Sequence, residues 1–299
     1  MRYIILKNIL LELSKFSLNF QQKNINYKKD KSPVTELDII NQYVCEFIIK
    51  YNFQNDNIIS EEDLYSEFAI KTIRLYENDI KEILTKLKNI SIQQNHIDSF
   101  TWFIDPIDGT KGFIDNLAFS IAISVVKDNN LICSGLASIG MNRTFDVLPK
   151  IIIATTDNSK VEVFDENSKS IYINKINPDK IIAISRKHKT KNLYIKLNKL
   201  GYKTIEMDSQ AKYMLVLLNL AQYYIREAGS CGDKKEYSWD HLAGIHLIRV
   251  KGGYCYDINK KEPGFSDKTK YIQFNGYLIS SNTDSRNDNI LNDLKEMKK

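Results

Sequence analysis

An apolar segment that runs directly into two aspartates constrains this chain more than any other feature of its sequence. Residues 100–104 are apolar except for one threonine, a pattern that predicts a buried β-strand. Asp105 follows at once and Asp108 comes three positions later, while Pro106 and Gly109 are residues that favour a tight turn. The segment therefore predicts a strand that delivers two carboxylates to one turn at its end.

Two carboxylates and a free carbonyl at one turn are hard oxygen ligands, which Mg²⁺ prefers together with water and phosphate oxygens. A helix beginning near Gly109 and Thr110 would direct its free N–H groups at an anion. Glu61 and Asp240 also lie at the predicted end of a strand or start of a helix. Any one of these acids alone has a plain structural explanation, because acidic side chains cap helix N-termini. Together they indicate a metal-dependent site for a phosphate group.

Composition and charge narrow the class of protein. The 299 residues are 43% hydrophobic and 26% charged, as is ordinary for a globular protein. The net charge of +5, from 42 basic and 37 acidic residues spread along the chain, is too small and too dispersed to indicate nucleic-acid binding, and within a cleft it would favour a small anionic substrate. The four cysteines lie far apart, so we expect neither a disulfide framework nor a zinc site. No stretch reaches the roughly 18 apolar residues of a membrane span, and we expect a cytoplasmic protein.

The predicted elements fall into two parts. Helical spacing covers residues 3–20 and 37–51, and predicted strands dominate from residue 100 to residue 164. The polar segment 165–179 is the predicted boundary. Beyond it strands alternate with helices, among them helices over residues 211–221 and 239–250, which argues for an α/β domain. We therefore predict an N-terminal α+β domain, residues 1–178, with most of the acids, and a C-terminal α/β domain, residues 179–299, with Asp240.

Four segments, in chain order, resemble the signatures of one known family. They are residues 31–35 (KSPVT) with Asp38, residues 59–63 (ISEED), residues 102–110 (WFIDPIDGT), and residues 239–244 (WDHLAG) followed by Gly252, Gly253 and Asp257. These segments are similar to those of the inositol monophosphatase superfamily of metal-dependent, lithium-sensitive phosphatases. The resemblance implies an α/β fold, a layered αβαβα sandwich of the inositol monophosphatase and fructose-1,6-bisphosphatase type, with the active site between its halves. Ser60 and Leu242 depart from the usual residues of these motifs, but no acid is lost.

The resemblance also implies roles for individual residues. It implies two or three Mg²⁺ ions, held by Glu61, Asp105, the Ile107 carbonyl, Asp108 and Asp240. Thr110 and Asp38 would orient and deprotonate the water that attacks phosphorus. The N–H groups of Gly109 and Thr110 would bind the phosphoryl oxygens. For the histidines, we expect His246 to be a core residue and His241 to support the site rather than bind metal.

The substrate prediction depends on residues outside these signatures. Lys111 and Gly112 continue the third motif as in 3′(2′),5′-bisphosphate nucleotidases, whereas inositol monophosphatases usually have Thr-Asn there. Further predicted substrate contacts are Gly109, Thr110, Lys111, Ser185, His188, Ser209, Lys212 and Arg226. Basic groups are expected because a bisphosphate carries a second phosphate far from the metals. The resemblance thus implies hydrolysis of adenosine 3′,5′-bisphosphate to AMP and phosphate by metal-activated water.

Two alternatives remain from the sequence. An inositol phosphate phosphatase would share the fold, and the residues at positions 111, 112, 209, 212 and 226 argue against it. Loss of one of the metal acids would have favoured a non-catalytic nucleotide-binding protein, and none is lost. For partners we expect a small-molecule substrate, no nucleic acid and no membrane, in a monomer or a homodimer.

Overall fold

The computed structural model describes residues 1–22, 24–90, 98–172, 180–186, 191–228, 235–283 and 289–296. The elements up to residue 164 are α1 (Arg2–Asn19), β1 (Ile25–Tyr27), β2 (Pro33–Thr35), α2 (Glu36–Asn52), β3 (Asn57–Ser60), α3 (Glu67–Leu75), α4 (Glu77–Lys88), β4 (Thr101–Asp108), α5 (Thr110–Ile114), β5 (Phe119–Lys127), β6 (Asn130–Ile139), β7 (Ile151–Thr156) and β8 (Val161–Phe164). The later elements are β9 (Ile181–Ser185), α6 (Lys191–Lys199), β10 (Lys203–Met207), α7 (Ala211–Leu217), β11 (Tyr223–Glu227), β12 (Glu236–Tyr237), α8 (Leu242–Val250), β13 (Tyr254–Asp257), β14 (Tyr271–Ile272), β15 (Tyr277–Ser281) and α9 (Asn289–Glu296).

Two sheets form the body of the protein. The first has the strand order β3-β4-β5-β6-β7-β8, in which β3 and β4 are parallel and the other neighbours are antiparallel. The second has the order β10-β9-β11-β15-β13, with β9 parallel to both of its neighbours. Two short antiparallel pairs, β1 with β2 and β12 with β14, lie outside these sheets.

Helices cover the sheets in alternating layers. The helices α1 and α2 pack on one face of the first sheet, and α7 and α8 lie between the two sheets. The helices α6 and α9 contribute Leu193, Leu197, Ile290, Leu291 and Leu294 to the core on the outer face of the second sheet. The order of layers is therefore αβαβα, which confirms the predicted sandwich.

The central strand β5 shows why the first sheet needs helices on both faces. Ile121, Ile123 and Val125 are buried in the core on the side of α1 and α2. Ala122 and Val126 point the other way, into the core that α7 and α8 share. Successive side chains of a strand alternate between faces, so a strand covered on both sides is predominantly apolar.

The structure corrects the prediction for the segment that carries the two aspartates. The strand β4 does not end before Asp105 but continues through Asp108, and Pro106 lies within it rather than in a turn. Asp105 pairs with Ala122, and Asp108 pairs with Ser120, so one extra residue is inserted in β4 between them. Residues three apart in a regular strand point to opposite faces, and such a bulge brings them to the same side.

Other boundaries also differ from the prediction. The helix predicted over residues 239–250 begins as a 3₁₀ turn, Ser238–Asp240, and α8 starts only after the irregular backbone of His241. The helix predicted over residues 211–221 ends at Leu217. The predicted domain boundary at residue 178 lies outside the described residues, so the division into two domains stays a prediction. In the described part of the chain, no helix has the length and apolar character needed to cross a membrane.

Candidate active site

Three aspartates from different elements meet at one point. Asp105 and Asp108 come from the bulged end of β4, and Asp240 ends the 3₁₀ turn that precedes α8. One carboxylate oxygen from each lies within 4.8 Å of those of the other two. Both oxygens of Asp105 are buried and have no hydrogen-bond partner. Such an arrangement is unfavourable for the bare chain, because like charges are held together away from water.

The acid–base properties of these groups follow from that crowding. Burial, together with the negative charge of neighbouring acids, raises the pKa of Asp105 and of Asp240 well above the ordinary value. Burial raises the pKa of Asp108 to about 6, although the ammonium group of Lys212 opposes the shift. A divalent cation would remove the repulsion and satisfy the two orphaned oxygens of Asp105. The donor set, which consists of carboxylate oxygens, therefore fits a hard divalent cation.

Glu61 lies beside the three aspartates, but its carboxylate has another partner. Glu61 directly follows the last residue of β3. Lys28 Nζ lies 2.6 Å from an oxygen of Glu61 and 2.6 Å from an oxygen of Glu62. Burial and the charge of Glu61 raise the pKa of Glu62 to about 8. Lys28 comes from the loop between β1 and β2, and the sequence analysis did not identify it. The role of Glu61 as a metal ligand stays a prediction.

Thr110 and Asp38 are brought together as the sequence analysis expected. The Thr110 hydroxyl lies 3.2 Å from Asp38 Oδ1 and 3.2 Å from the Ile107 carbonyl oxygen. The other oxygen of Asp38 accepts hydrogen bonds from the backbone N–H and the hydroxyl of Thr35, which caps α2. Burial raises the pKa of Asp38 to about 7, and the hydrogen bonds from Thr35 act against this shift.

A cavity of about 460 Å³ adjoins the acids. The predicted site residues that line it are Glu61, Asp108, Gly109, Thr110, Lys111, Ser185, Ser209, Lys212, Arg226 and Asp240. Asp38 and Asp105 are buried behind its wall, as is the side chain of Ile107. His188 lies outside the described residues. One cavity thus joins acids from the first sheet to basic residues near the second.

The basic residues of the cavity are themselves held by protein atoms. Lys212 is buried, and its ammonium group donates to the carbonyl oxygen of Ser209. Burial lowers the pKa of Lys212 to about 8, against the opposing effect of Asp108. Arg226 Nη2 lies 3.0 Å from Oε2 of Glu236, a residue that the sequence analysis missed because no motif marks it. Both cations therefore keep their positions without a ligand.

Close backbone packing shapes the wall of the cavity next to the acids. Gly109 has a φ of 89°, a left-handed conformation that favours glycine. A Cβ atom at this position would lie 2.9 Å from the Cβ atom of Ser209. The glycine therefore lets the N-terminal turn of α5 approach the loop before α7, which carries Ser209 into the cavity.

Comparison with known proteins agrees with this geometry. The inositol monophosphatase family matches residues 4–298 of the chain. The chain belongs to the inositol monophosphatase family. A relative named 3′(2′),5′-bisphosphate nucleotidase 1, from Candida albicans, is 27% identical over 285 residues, which cover 77% of this chain and 76% of the relative. Membership of this family and the nucleotidase relatives identify the chain as a phosphatase.

Solved structures of inositol monophosphatase family members share the fold. An IMPase from Thermotoga maritima superimposes with a TM-score of 0.63 at 16% identity, covering 98% of this chain and 95% of that one. A second structure, described as an IMPase/NADP phosphatase complexed with Mg²⁺ and phosphate, has a TM-score of 0.61 at 14% identity, covering 95% and 90%. At these identities the comparison establishes the layered architecture of this family member and not its substrate.

Proposed function

We propose that this phosphatase is a Mg²⁺-dependent 3′(2′),5′-bisphosphate nucleotidase that hydrolyses adenosine 3′,5′-bisphosphate to AMP and phosphate. The observation that carries the proposal is the lining of one cavity, where two basic residues, Lys212 and Arg226, lie in the same wall as the acids Asp108 and Asp240. The acidic residues can hold metal ions, and the metal ions would bind the phosphate group that is cleaved. Two cations nearby suit a second phosphate, which an inositol monophosphate lacks.

Asp105, Asp108 and Asp240 would hold Mg²⁺, together with Glu61 and the Ile107 carbonyl for further ions. Bound divalent cations would supply positive charge to the phosphoryl oxygens and would acidify the attacking water. The buried, unpartnered oxygens of Asp105 and the Mg²⁺ complex of a related fold support this choice of cation.

The catalytic pair of the proposal is Thr110 and Asp38. When the Thr110 hydroxyl donates its proton to Asp38 Oδ1, its lone pairs can accept a hydrogen bond from water in the cavity. Asp38 holds that orientation because its other oxygen is fixed by Thr35. The N–H groups of Gly109 and Thr110 would bind the phosphoryl oxygens, where negative charge builds up in the transition state.

The substrate contacts of the proposal are Lys111, Ser185, His188, Ser209, Lys212 and Arg226. Lys212 and Arg226 would bind the second phosphate, and the hydroxyls would bind the ribose or the same phosphate. The relative from Candida albicans carries the corresponding name and thereby supports this substrate class.

Phosphate release from a panel of substrates with Mg²⁺ tests the proposal. We expect a much higher kcat/KM for adenosine 3′,5′-bisphosphate than for inositol 1-phosphate, inositol 1,4-bisphosphate or fructose 1,6-bisphosphate. Preference for inositol 1-phosphate would favour the inositol phosphatase alternative. No hydrolysis of any member of the panel would favour a non-catalytic protein.

A pair of lysine variants sharpens the test. Lys212→Met should raise KM for the bisphosphate about 10- to 100-fold with little change in kcat, because it removes a charged contact to the part of the substrate that does not react. Lys251→Met is the control, because the ammonium group of Lys251 also donates to a backbone carbonyl, that of Leu217, but lies away from this cavity. If the two substitutions changed KM for the bisphosphate equally, Lys212 would not be a substrate contact.

A further inference from the structure

One carboxylate outside the family signatures contacts two parts of the cavity wall. Glu236 Oε1 accepts hydrogen bonds from Nε and Nη2 of Arg226, both at 3.2 Å, and Oε2 lies 3.0 Å from Nη2. The same Oε2 lies 3.2 Å from His241 Nε2. The Glu236 side chain is 11% exposed, so these contacts are shielded from water and are screened less by salt than surface ion pairs.

The contacts of Glu236 connect the two ends of the proposed substrate site. His241 directly follows Asp240, a member of the acid cluster, and its Nδ1 is hydrogen-bonded to the buried hydroxyl of Tyr213 at 2.9 Å. Arg226 lies on β11 of the second sheet, whereas Glu236 lies on β12, which pairs with β14. The side chain of Glu236 therefore links the guanidinium group to the segment that carries a metal-binding acid.

We propose that Glu236 is a positioning residue, which fixes the guanidinium of Arg226 at a set distance from the acid cluster and so selects substrates that carry a second phosphate. The inference rests on the proposed function. Glu236 does not itself touch the substrate in this account. It acts through Arg226, and its contact with His241 sets where the acid cluster lies relative to that cation.

The geometry of the ion pair favours positioning. The bonds to Glu236 use Nε and Nη2 of Arg226, so they hold the plane of the guanidinium, and Nη1 forms no hydrogen bond with any residue that the structure describes. Arg226 also lines the cavity. An arginine side chain without such an anchor has several rotatable bonds, which must be ordered when the substrate binds. Preorganisation by Glu236 avoids that cost, so its loss should weaken the binding of the second phosphate.

A different role for Glu236 would have the opposite effect. If the carboxylate only neutralised the charge of Arg226, its removal would leave a stronger positive charge and would tighten the binding of an anionic group. The two roles therefore differ in the sign of the effect on substrate preference. The quantity that separates them is the ratio of kcat/KM for adenosine 3′,5′-bisphosphate to kcat/KM for adenosine 3′-monophosphate, which lacks the second phosphate.

The test is a double-mutant cycle on this ratio with the full chain and Mg²⁺. We expect Glu236→Ala to lower the ratio about tenfold or more, mainly through KM for the bisphosphate. In an Arg226→Ala background, the same substitution should change the ratio less than about twofold, because Glu236 acts through Arg226. A raised or unchanged ratio, or an equal loss in both backgrounds, would overturn the proposal. General damage to the site cancels in the ratio.

Glu236→Asp keeps the test decisive if the alanine variant does not fold. The shorter side chain retains the charge, but its carboxylate is withdrawn by one methylene group and cannot span Arg226 and His241 together. Positioning predicts a lowered ratio for Glu236→Asp, and a role in charge alone predicts the wild-type ratio. Failure of the underlying function is seen separately, because the wild-type chain would then show no preference for the bisphosphate over the monophosphate.

Discussion

The hydroxyl of Thr110 lies 3.2 Å from Asp38 Oδ1, across 72 positions of the sequence. The same hydroxyl is equally close to the Ile107 carbonyl oxygen, but it has only one proton to donate. Asp38 is fully buried, and its second oxygen is occupied by Thr35. The pair is thus held in place at the edge of the cavity. Asp38 accepts hydrogen bonds both from Thr35, the N-cap of α2, and from Thr110.

The first prediction concerns this pair. Thr110→Ala and Asp38→Asn should each lower kcat about 10²- to 10⁴-fold, because a threonine hydroxyl needs a carboxylate behind it to act on water. The double variant should be scarcely worse than either single variant, since the two residues act as a unit. Steady-state kinetics on adenosine 3′,5′-bisphosphate measure this. Thr110→Ser, which keeps the hydroxyl, is the control and should retain most of the activity.

Stability measurements separate this account from a purely structural role. If Asp38 only supports the Thr35 cap of α2, Asp38→Asn should cost about 1 kcal/mol of unfolding free energy and leave catalysis nearly intact. Near-normal kcat in that variant, or additive losses in the double variant, would show that the catalytic pairing is wrong.

The sequence predicted that Asp105, Asp108 and Asp240 would meet, but not how β4 brings the first two together. The apolar run before Asp105 and the spacing to Asp108 sufficed to place both at the end of a strand. The bulge that turns both carboxylates to one side depends on the register with β5, in which Ala122 and Ser120 are the partners. Register is set by long-range pairing, and a local pattern does not contain it.

Two further features could not be predicted from the sequence because they also depend on long-range contacts. The predicted helix over residues 239–250 is interrupted at His241, whose ring is tied to Tyr213 and Glu236. The hydrophobic periodicity continues through this break, so the sequence pattern does not reveal the break. Glu236 itself has no local signal, because its two partners come together only when β11 and the 3₁₀ turn are packed in the folded chain.

The second prediction concerns the contact between α7 and α8. A Cβ atom at Gly244 would lie 2.2 Å from Cγ of the buried Tyr213 ring, whose hydroxyl is bonded to His241. Gly244→Ala should lower the unfolding free energy by about 2 kcal/mol and also reduce activity, because the ring must shift within a packed core. Gly264→Ala is the matched control, since a Cβ atom there meets nothing within 4 Å. Chemical denaturation and steady-state kinetics measure the two effects. If Gly244→Ala had the stability and activity of the wild type, the close packing of Gly244 against Tyr213 would be refuted.

The third prediction uses the buried His246. Its Nδ1 lies 2.8 Å from the Ser134 hydroxyl, which confirms the expected core histidine, and burial with the nearby charge of Arg249 lowers its pKa to about 4. The unfolded chain has the ordinary histidine pKa of about 6.5 and so binds a proton first as pH falls. The contribution of His246 to stability is therefore present above pH ~6.5 and is lost as pH falls towards 4, by up to roughly 3 kcal/mol.

Urea unfolding from pH 8 to pH 4 checks the third prediction. His246→Gln should be less stable than the wild type at pH 8, and the gap between the two curves should narrow steadily below pH ~6.5. Other titrating groups are common to both proteins and cancel in the difference. Parallel curves over the whole range would mean that His246 does not titrate differently in the folded state.

The fourth prediction concerns Asp105 in the metal-free protein. Its buried carboxylate has no hydrogen-bond partner and faces other acids, so Asp105→Asn removes a repelling charge at nearly constant volume. We expect the metal-free variant to be more stable than the metal-free wild type by about 1 to 3 kcal/mol. The same substitution should abolish the rise in Tm on adding Mg²⁺ and reduce activity by orders of magnitude, because the ion loses a ligand charge.

Asp56 provides the matched control for this trade between stability and metal binding. It is also fully buried, but Arg2 Nε and Trp102 Nε1 each lie 2.7 Å from its Oδ2. Asp56→Asn should therefore destabilise the protein by about 3 kcal/mol, since it breaks a buried ion pair, and should leave the Mg²⁺-dependent rise in Tm in place. Differential scanning calorimetry with EDTA and with Mg²⁺ measures both variants. If Asp105→Asn lost stability in EDTA as Asp56→Asn does, the Asp105 carboxylate would be paired within the protein rather than held for a cation.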